Sequence, residues 1–300
     1  MSVLQLDGIA VKVSSEEKVL FPDDGITKGE LIAYYRRIAE WMIPHMRERP
    51  LSMLRYPEGI GHDGFYQQEA PDYFPEWVDR IELDKKDGRI VHAVCNHAAT
   101  LVYLANQNTI TPHVWLSRVD RLYEPDQIIF DLDPPGDDFE AVRFAARAVR
   151  DILEEQGLTA FVMTTGSNGM HVRAPIQRRH KFDEVRAYAR DLAEELALRH
   201  PDRLTTEQRK VKREGRIYLD VLRIAYGQTA VPPYAVRARP GAPVATPLDW
   251  SEIGRTGPRT YTIRNIFRRL GQKADPWADM FEHAADIRLN RRARSSESAA

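Results

Sequence analysis

DQIIFDLDPPGDDFEAVRFAARAVRDILEEQGLTAFVMTTGSNGMHVRAPI, residues 126–176, carries the fold in its changes of period. Ile128 to Asp133 is a short apolar run ending in acids, the pattern of a buried strand. Asp137 or Asp138 stands where a helix cap belongs. Phe139, Val142, Ala146, Val149 and Leu153 then fall on one helical face, and Gly157 stops the helix. Leu158 to Thr164 reads as a strand, Gly166-Ser167-Asn168-Gly169 as a turn, and Met170 to Ile176 as the next strand. Phe182 to Leu198 has helical period, and Ile217 to Leu222 is again a strand. The order is β-α-β-β-α-β, the split βαβ (RRM- or ferredoxin-like) unit of an α+β protein. In the usual arrangement of that unit the first strand lies between the third and the fourth. Asp131 and Asp133 therefore fall beside Asp220 on one side and beside His171 on the other. Two helices cover one sheet face; the other is free for a ligand or for cover from elsewhere in the chain.

Outside this stretch, Thr27-Lys28-Gly29-Glu30 has capping-box spacing and leads into Leu31, Ile32, Tyr35, Ile38 and Met42 at helical intervals. That helix should end near Pro44, and His97 to Gln107 reads as another. Pro240 to Pro258 is rich in Pro and Gly and reads as a surface connection, with helical pattern resuming at Tyr261. Apolar residues make up 43% of the 300, enough for a sizeable core, and no run approaches the ~20 apolar residues of a membrane span. Met1 to Val13 lacks the pattern of a secretory signal. Cys95 stands alone, which excludes an internal disulfide or a multi-thiolate zinc site and points to a reducing compartment, most simply the cytoplasm.

The 43 basic and 44 acidic side chains leave a formal charge of −1, which by itself gives no reason to expect nucleic acid. The distribution is uneven. From Arg203 to Arg239 nine basic residues face only Glu207, Glu214 and Asp220, and Arg173, Arg178, Arg179 and Lys181 form a second basic run. The acids gather in segments read as helices, where they are most simply solvated. A local basic groove in a neutral protein is compatible with these numbers; so is mere solubility.

Asp131 and Asp133 are two apart on a strand and emerge on one face, where Asp220 can join them. Carboxylates that close repel by ~4 kcal/mol per pair at an effective dielectric near 20, so a cation or a shared proton must relieve them. Hard divalent ions, Mg²⁺ or Mn²⁺, suit three carboxylates best. The bland alternative is a solvated strand end. Gly166-Ser167-Asn168-Gly169 allows backbone N–H groups to converge into an anion nest, with His171 and Arg173 alternating onto the face of the acids. Alone, the turn is an ordinary hairpin and His171 a structural histidine. Together with the acids they make a triphosphate site, which Arg213 and Arg237, flanking the Asp220 strand, can reach.

Phe130-Asp131-Leu132-Asp133-Pro134, Thr165-Gly166-Ser167-Asn168-Gly169-Met170-His171 and Tyr218-Leu219-Asp220 resemble the three motifs of the archaeo-eukaryotic primase superfamily. More closely, they resemble the polymerase domain of the prokaryotic end-joining DNA ligase D. The likeness runs from Glu17-Lys18-Val19-Leu20-Phe21-Pro22 to beyond Tyr234-Ala235-Val236-Arg237. The resemblance implies template-directed addition of ribo- or deoxyribonucleotides, from a nucleoside triphosphate, to a primer 3′-hydroxyl at DNA breaks, gaps or 3′ overhangs. Two ions, Mn²⁺ or Mg²⁺, would be held by Asp131, Asp133 and Asp220. Ser167, Asn168, His171, Arg173, Arg213, Arg237 and His113 would serve the nucleotide, Lys18 and Lys28 a downstream 5′-phosphate, and Phe65 and Tyr66, with Arg55, template bases by stacking. A Ku-like end-binding protein and a fused or separate DNA ligase would be partners. Asn168, Gln67 and Arg223 depart from the pattern, where Lys, Lys and Gln are expected.

The implied layout is one primase-polymerase domain over 1–290. A DNA-end-binding α/β portion would fill about 1–125, the catalytic core about 126–240 and a helical portion about 241–290, before a flexible tail over 291–300. No ligase or nuclease region follows, so a stand-alone enzyme or an excised domain is expected. The bland alternatives are surface lysines at 18 and 28, core aromatics at 65 and 66, a structural His113 and a buried Cys95. Two rival functions are a haloacid-dehalogenase-type phosphatase, with Asp131 as nucleophile and Asp133 as acid/base, and a non-catalytic DNA-end-binding module.

Overall fold

The computed structural model describes residues 2–85, 88–134 and 136–289. Up to Asp120 the elements are β1 (Ser2–Leu6), β2 (Ile9–Val13), β3 (Val19–Phe21), β4 (Ile26–Thr27), α1 (Lys28–Met46), β5 (Leu51–Arg55), β6 (Phe65–Gln67), β7 (Arg80–Lys85), β8 (Gly88–Ala93), α2 (Ala98–Asn106) and β9 (Thr109–Trp115). Then come β10 (Gln127–Leu132), α3 (Phe139–Glu155), β11 (Phe161–Thr164), β12 (Met170–Pro175), α4 (Phe182–Arg199), β13 (Leu204–Thr205) and β14 (Ile217–Tyr218). β15 (Thr229–Ala230), β16 (Thr246–Leu248) and α5 (Ile266–Leu270) follow. The chain folds as two compact units. The first takes the residues up to Asp120 with Thr229–Thr246 and Arg259–Asp275; the second takes Arg121–Gln228, Pro247–Pro258 and the residues from Pro276 on.

In the first unit a sheet runs β15-β9-β5-β6. α1 starts at the expected capping box: Thr27 accepts from the Glu30 N–H, and the Glu30 carboxylate accepts from the Thr27 N–H at 2.9 Å. The helix passes Pro44 and ends at Met46. A proline in the last turn removes a single intrahelical donor, and the Arg47 N–H closes the helix on Ile43 at 2.9 Å. Leu31, Ile38, Met42 and Met46 on its inner face are fully buried.

The second unit holds the split βαβ core. Its sheet runs β10-β12-β11-β16, with β12 antiparallel to both neighbours. α3 and α4 pack on one another and both reach β10. Asp138 caps α3, and Val142, Ala146, Val149 and Leu153 are fully buried, as their spacing requires. Phe139 stays half-buried, with the Arg143 guanidinium 4.9 Å from its ring centroid. The opposite sheet face is covered by the chain itself: Trp277 is buried and its indole N–H donates to the Val162 carbonyl at 3.2 Å.

Two expectations change. The strand read over Ile217 to Leu222 shortens to Ile217–Tyr218, which pairs in parallel with β13, and only Asp220 goes on to bridge β10 at Asp131. The cause is local: the Asp220 carboxylate accepts the Leu222 N–H at 2.8 Å, turning the chain out of extended geometry. Residues 241–290 carry the five-residue α5 and short 3₁₀ turns at Trp250–Glu252 and Met280–His283 instead of longer helices. Pro243, Pro247, Pro258 and Pro276 break that stretch too often for a longer one. The tail expected over 291–300 lies outside the described residues. No helix among the described residues is long and apolar enough to cross a membrane.

Candidate functional site

Asp131 sits at the centre of the second unit's polar cluster. It pairs in register with His171 on β12 and, across an antiparallel bridge, with Asp220, whose carbonyl accepts the Asp131 N–H at 2.9 Å. Residues opposed in this way share a face, so two acids and an imidazole converge as expected. His171 Nε2 lies 3.3 Å from Asp131 Oδ1, and Arg223 Nε 3.4 Å from Oδ2. Burial alone would raise the Asp131 carboxyl, but the polar N–H of His171 and the charged, hydrogen-bonding guanidinium of Arg223 outweigh it and hold the group below the usual carboxylate range. At Asp220, burial raises the carboxyl; the Leu222 N–H opposes this and the Asp131 charge adds to it.

Asp133, one step past the end of β10, is exposed. Among the described residues no three His, Cys, Asp or Glu side chains are gathered as a ready metal cage. Asp131 is turned to His171 and Arg223, and Asp220 to its own backbone. The donor set nevertheless fits a hard divalent ion, because it offers carboxylate oxygens and the chain itself puts a cationic guanidinium on Asp131.

The turn after β11 is built differently from the anion nest its glycines suggested. Thr165 Oγ1 accepts the N–H groups of Ser167 and Gly169, both at 3.3 Å, and donates to the Gly169 carbonyl at 3.2 Å. Two of the N–H groups assigned to a phosphate are thus gathered on a hydroxyl of the same turn. Gly166 takes φ +67°, and Gly169 presses on β10: a Cβ there would collide with the Leu132 carbonyl oxygen and with Asp133 Oδ1. The turn offers a half-buried Ser167 and an exposed Asn168.

Arg173, expected among the phosphate contacts, is instead 2% exposed. Its guanidinium donates to Gln127 Oε1 at 3.0 Å and to His171 Nδ1 at 3.2 Å, and lies 5.7 Å from the Trp277 ring centroid. A guanidinium has no lone pair, so Nδ1 must accept and the ring proton sits on Nε2, toward Asp131. Arg173 therefore orients His171. Arg213 is committed as well, donating to the Glu207 and Gln208 carbonyls at 3.1 and 2.7 Å and lying over Tyr218.

The other expected residues belong to the first unit. Lys28 is 4% exposed at the start of α1, and its N–H donates to the Lys18 carbonyl at 2.8 Å. Burial, then the Lys18 charge, lowers the Lys28 ammonium, with Glu16 and Glu17 opposing. Lys18 Nζ meets Glu58 at 3.1 Å. Phe65 and Tyr66 are 46% and 60% exposed, which overturns the core alternative. Being consecutive on β6, they point to opposite sheet faces. Phe65 stands near the Arg55 guanidinium at 5.7 Å, and Tyr66 edge-on to His113 at 5.4 Å. Arg55 also donates to Gln67 Oε1 at 2.6 Å. His113 is buried on β9 opposite Ser52, and the Arg237 N–H donates to the Pro243 carbonyl at 2.8 Å. Cys95 is buried, which pushes its thiol up.

Sequence reasoning missed the Arg223–Asp131 contact, the Trp277 cover over Arg173 and the organising role of Thr165. Only Thr165, a hydroxyl two residues ahead of Ser167, left a local signal, the spacing of an ST turn.

Comparison with known proteins gives the family. Residues 27–277 match the family described as LigD, primase-polymerase domain. The multifunctional non-homologous end joining protein LigD of Pseudomonas aeruginosa is 32% identical over 273 residues, covering 90% of this chain and 32% of that protein. The bifunctional non-homologous end joining protein LigD of Bacillus subtilis is 29% identical over 283 residues, covering 93% and 46%. The chain thus spans between 32% and 46% of the length of these curated relatives. Among solved structures, the polymerase domain from Mycobacterium tuberculosis ligase D in complex with DNA superposes with a TM-score of 0.86 at 26% identity, covering 91% of this chain and 99% of that one. The phosphatase alternative fails on topology, since β10 is antiparallel to its neighbours where a parallel βα sheet is required. The antiparallel α+β core and the match over residues 27–277 lead to one conclusion: the chain belongs to the LigD primase-polymerase domains, and by that membership is a nucleotidyltransferase.

Proposed function

We propose that this chain adds nucleotides, template-directed, to a primer 3′-hydroxyl at DNA breaks, gaps and 3′ overhangs, and that it recognises the 5′-phosphate of the downstream strand. The observation that carries the reading is Asp131 in register with His171 on one side and Asp220 on the other. Asp131, Asp133 and Asp220 are the residues that would hold two divalent ions, Mg²⁺ or Mn²⁺. When bound, such ions supply activation of the 3′-hydroxyl and charge stabilisation at the α-phosphate as pyrophosphate leaves. The chain's own share is orientation. Arg173 fixes the His171 ring so that its Nε2–H points to the site, and Thr165 holds Ser167 and Asn168 at its rim.

Ser167, Asn168 and His171 are the proposed contacts for the incoming nucleoside triphosphate, joined by Arg213, Arg237 and His113. Two lysines whose charges disfavour one another, one of them buried, suit a dianionic phosphate, and this supports Lys18 and Lys28 as the 5′-phosphate pocket. Exposed Phe65 and Tyr66, with Arg55, are the proposed stacking surface for template bases. The division into an end-binding portion (about 1–125), a catalytic portion (about 126–240) and a remainder to 290 belongs to the same proposal, as do a Ku-like partner, a DNA ligase and a cytoplasmic setting.

Extension of a primer on a gapped, 5′-phosphorylated template tests it, with each ribo- and deoxyribonucleoside triphosphate in Mg²⁺ and in Mn²⁺. Asp133→Ala is expected to abolish extension while DNA binding persists. Undiminished extension by that variant overturns the metal assignment.

A further inference from the structure

We infer that Arg223 is a resident cation of the carboxylate site: it holds Asp131 while no metal is bound, and it must release Asp131 before a divalent ion can take its place. Arg223 thereby sets how much metal the enzyme requires. The inference deepens the metal-site reading above and rests on it.

Both oxygens of Asp131 are engaged within the chain, Oδ1 by His171 Nε2 at 3.3 Å and Oδ2 by Arg223 Nε at 3.4 Å. The two contacts differ in kind. His171 is buried and oriented by Arg173, so its Nε2–H is a fixed hydrogen-bond donor. The Arg223 side chain is 46% exposed, against 13% for Asp131, so the arginine can withdraw into water and the carboxylate cannot. The turn that aims Arg223 is made by Asp220 itself, whose Oδ1 accepts the Leu222 N–H at 2.8 Å, one residue before Arg223. The second acid of the site thus delivers the cation that occupies the first.

The sign follows from electrostatics on both sides of the binding equilibrium. In the metal-free state Arg223 neutralises a largely desolvated carboxylate, so its loss makes that state less favourable. In the metal-bound state a guanidinium beside a divalent ion is repelled, so its loss makes that state more favourable. Both changes tighten metal binding. With a half-exposed arginine screened by solvent and salt, the gain is about tenfold.

The test is Mn²⁺ binding without nucleotide or DNA, followed by the electron paramagnetic resonance signal of free Mn²⁺ and by calorimetry, for the wild type and Arg223→Gln. The variant is expected to bind Mn²⁺ about tenfold more tightly, and to melt lower than the wild type without metal but not with saturating Mn²⁺. Arg223→Lys, which keeps the charge but has no Nε to offer, is expected to fall between the two and serves the same purpose if the glutamine variant does not fold. Wild-type affinity unchanged in either folded variant, or weakened in Arg223→Gln, overturns the role of Arg223 and leaves the metal site standing. Failure of the wild type itself to bind Mn²⁺ overturns the site and this inference together. A purely structural Arg223 would lower the melting temperature and leave the Mn²⁺ affinity where it was.

Discussion

Replacing Gly169 with alanine tests how the turn positions the carboxylates proposed to hold metal. The Cβ would overlap the Leu132 carbonyl oxygen and stand 2.5 Å from Asp133 Oδ1. The first obstacle is backbone, and Leu132 is paired with Met170 in the sheet, so it cannot swing aside. Relief requires the Thr165–Gly169 turn and the end of β10 to part by about 1 Å, and a displacement of that size at reacting groups costs on the order of 10²-fold in rate. Overpacking of this kind also costs about 1–3 kcal/mol of stability. Single-turnover extension on the gapped, 5′-phosphorylated template, run beside thermal melting, should therefore show a slow chemical step and a lowered melting temperature together. Gly157→Ala is the control. That glycine has φ +75° with nothing within 4 Å of the added methyl, so it should lose about 1 kcal/mol to backbone strain while extension stays at the wild-type rate. Wild-type turnover by Gly169→Ala would refute the close approach of the turn to β10, and equal loss by both variants would show that global destabilisation explains the effect.

Lys28→Met removes a charge that burial already disfavours. Because the folded-state pKa lies below the unfolded one, wild-type stability should rise as pH increases from that depressed value toward the ordinary lysine value, a rise the variant lacks. Metal- and DNA-free, the variant should melt about 2–4 °C higher for each kcal/mol released, while binding to 5′-phosphorylated DNA weakens and binding to unphosphorylated DNA holds; equal loss on both substrates would refute the phosphate pocket. Phe65→Ala and Tyr66→Ala should each weaken binding to a template overhang by about 1–3 kcal/mol, and additively, since the rings occupy opposite faces of β6; a strong coupling in the double variant would mean that both stack on one base. Thr165→Val keeps the shape of the side chain but removes the acceptor for two N–H groups, so it should lower stability by about 1–3 kcal/mol and slow extension, with wild-type behaviour refuting its organising role.

The split βαβ core is legible in the sequence because each of its elements is locally consistent. β10 is a short apolar run that ends in acids, α3 buries the stripe its spacing predicts, and the glycines mark the turn. The approach of Asp131 to Asp220 could be read from topology alone, since the fourth strand of that unit has to return beside the first. Its shortening to one bridge could not, because that depends on a side chain accepting its own backbone N–H at 2.8 Å. Helix is short after Tyr261 for a related reason: the apolar spacing there is real, but the flanking prolines leave room only for the five residues of α5.

Charge is where residue counting and structure part most clearly, and three arginines show why. Arg173, Arg213 and Arg223 each count as one positive charge toward the basic tracts that suggest nucleic acid. Arg173 is 2% exposed and spends its guanidinium on Gln127 and His171. Arg213 closes its own loop on two carbonyls. Arg223 lies on Asp131. None of the three presents a free guanidinium to a polyanion in this state, while Arg209, Lys210 and Lys212 beside them are exposed. The acids divide likewise: Glu155, Glu154 and Asp183 sit on helix exteriors beside Arg199, Arg150 and Arg186, whereas the Asp131 side chain is only 13% exposed. A formal charge of −1 is thus the sum of a solvated exterior, in which opposite charges largely cancel, and an interior in which arginines hold the acidic site in order. Which cations meet DNA is decided by exposure and by prior commitments, and the same commitments explain why a site this rich in carboxylate is tolerable without metal.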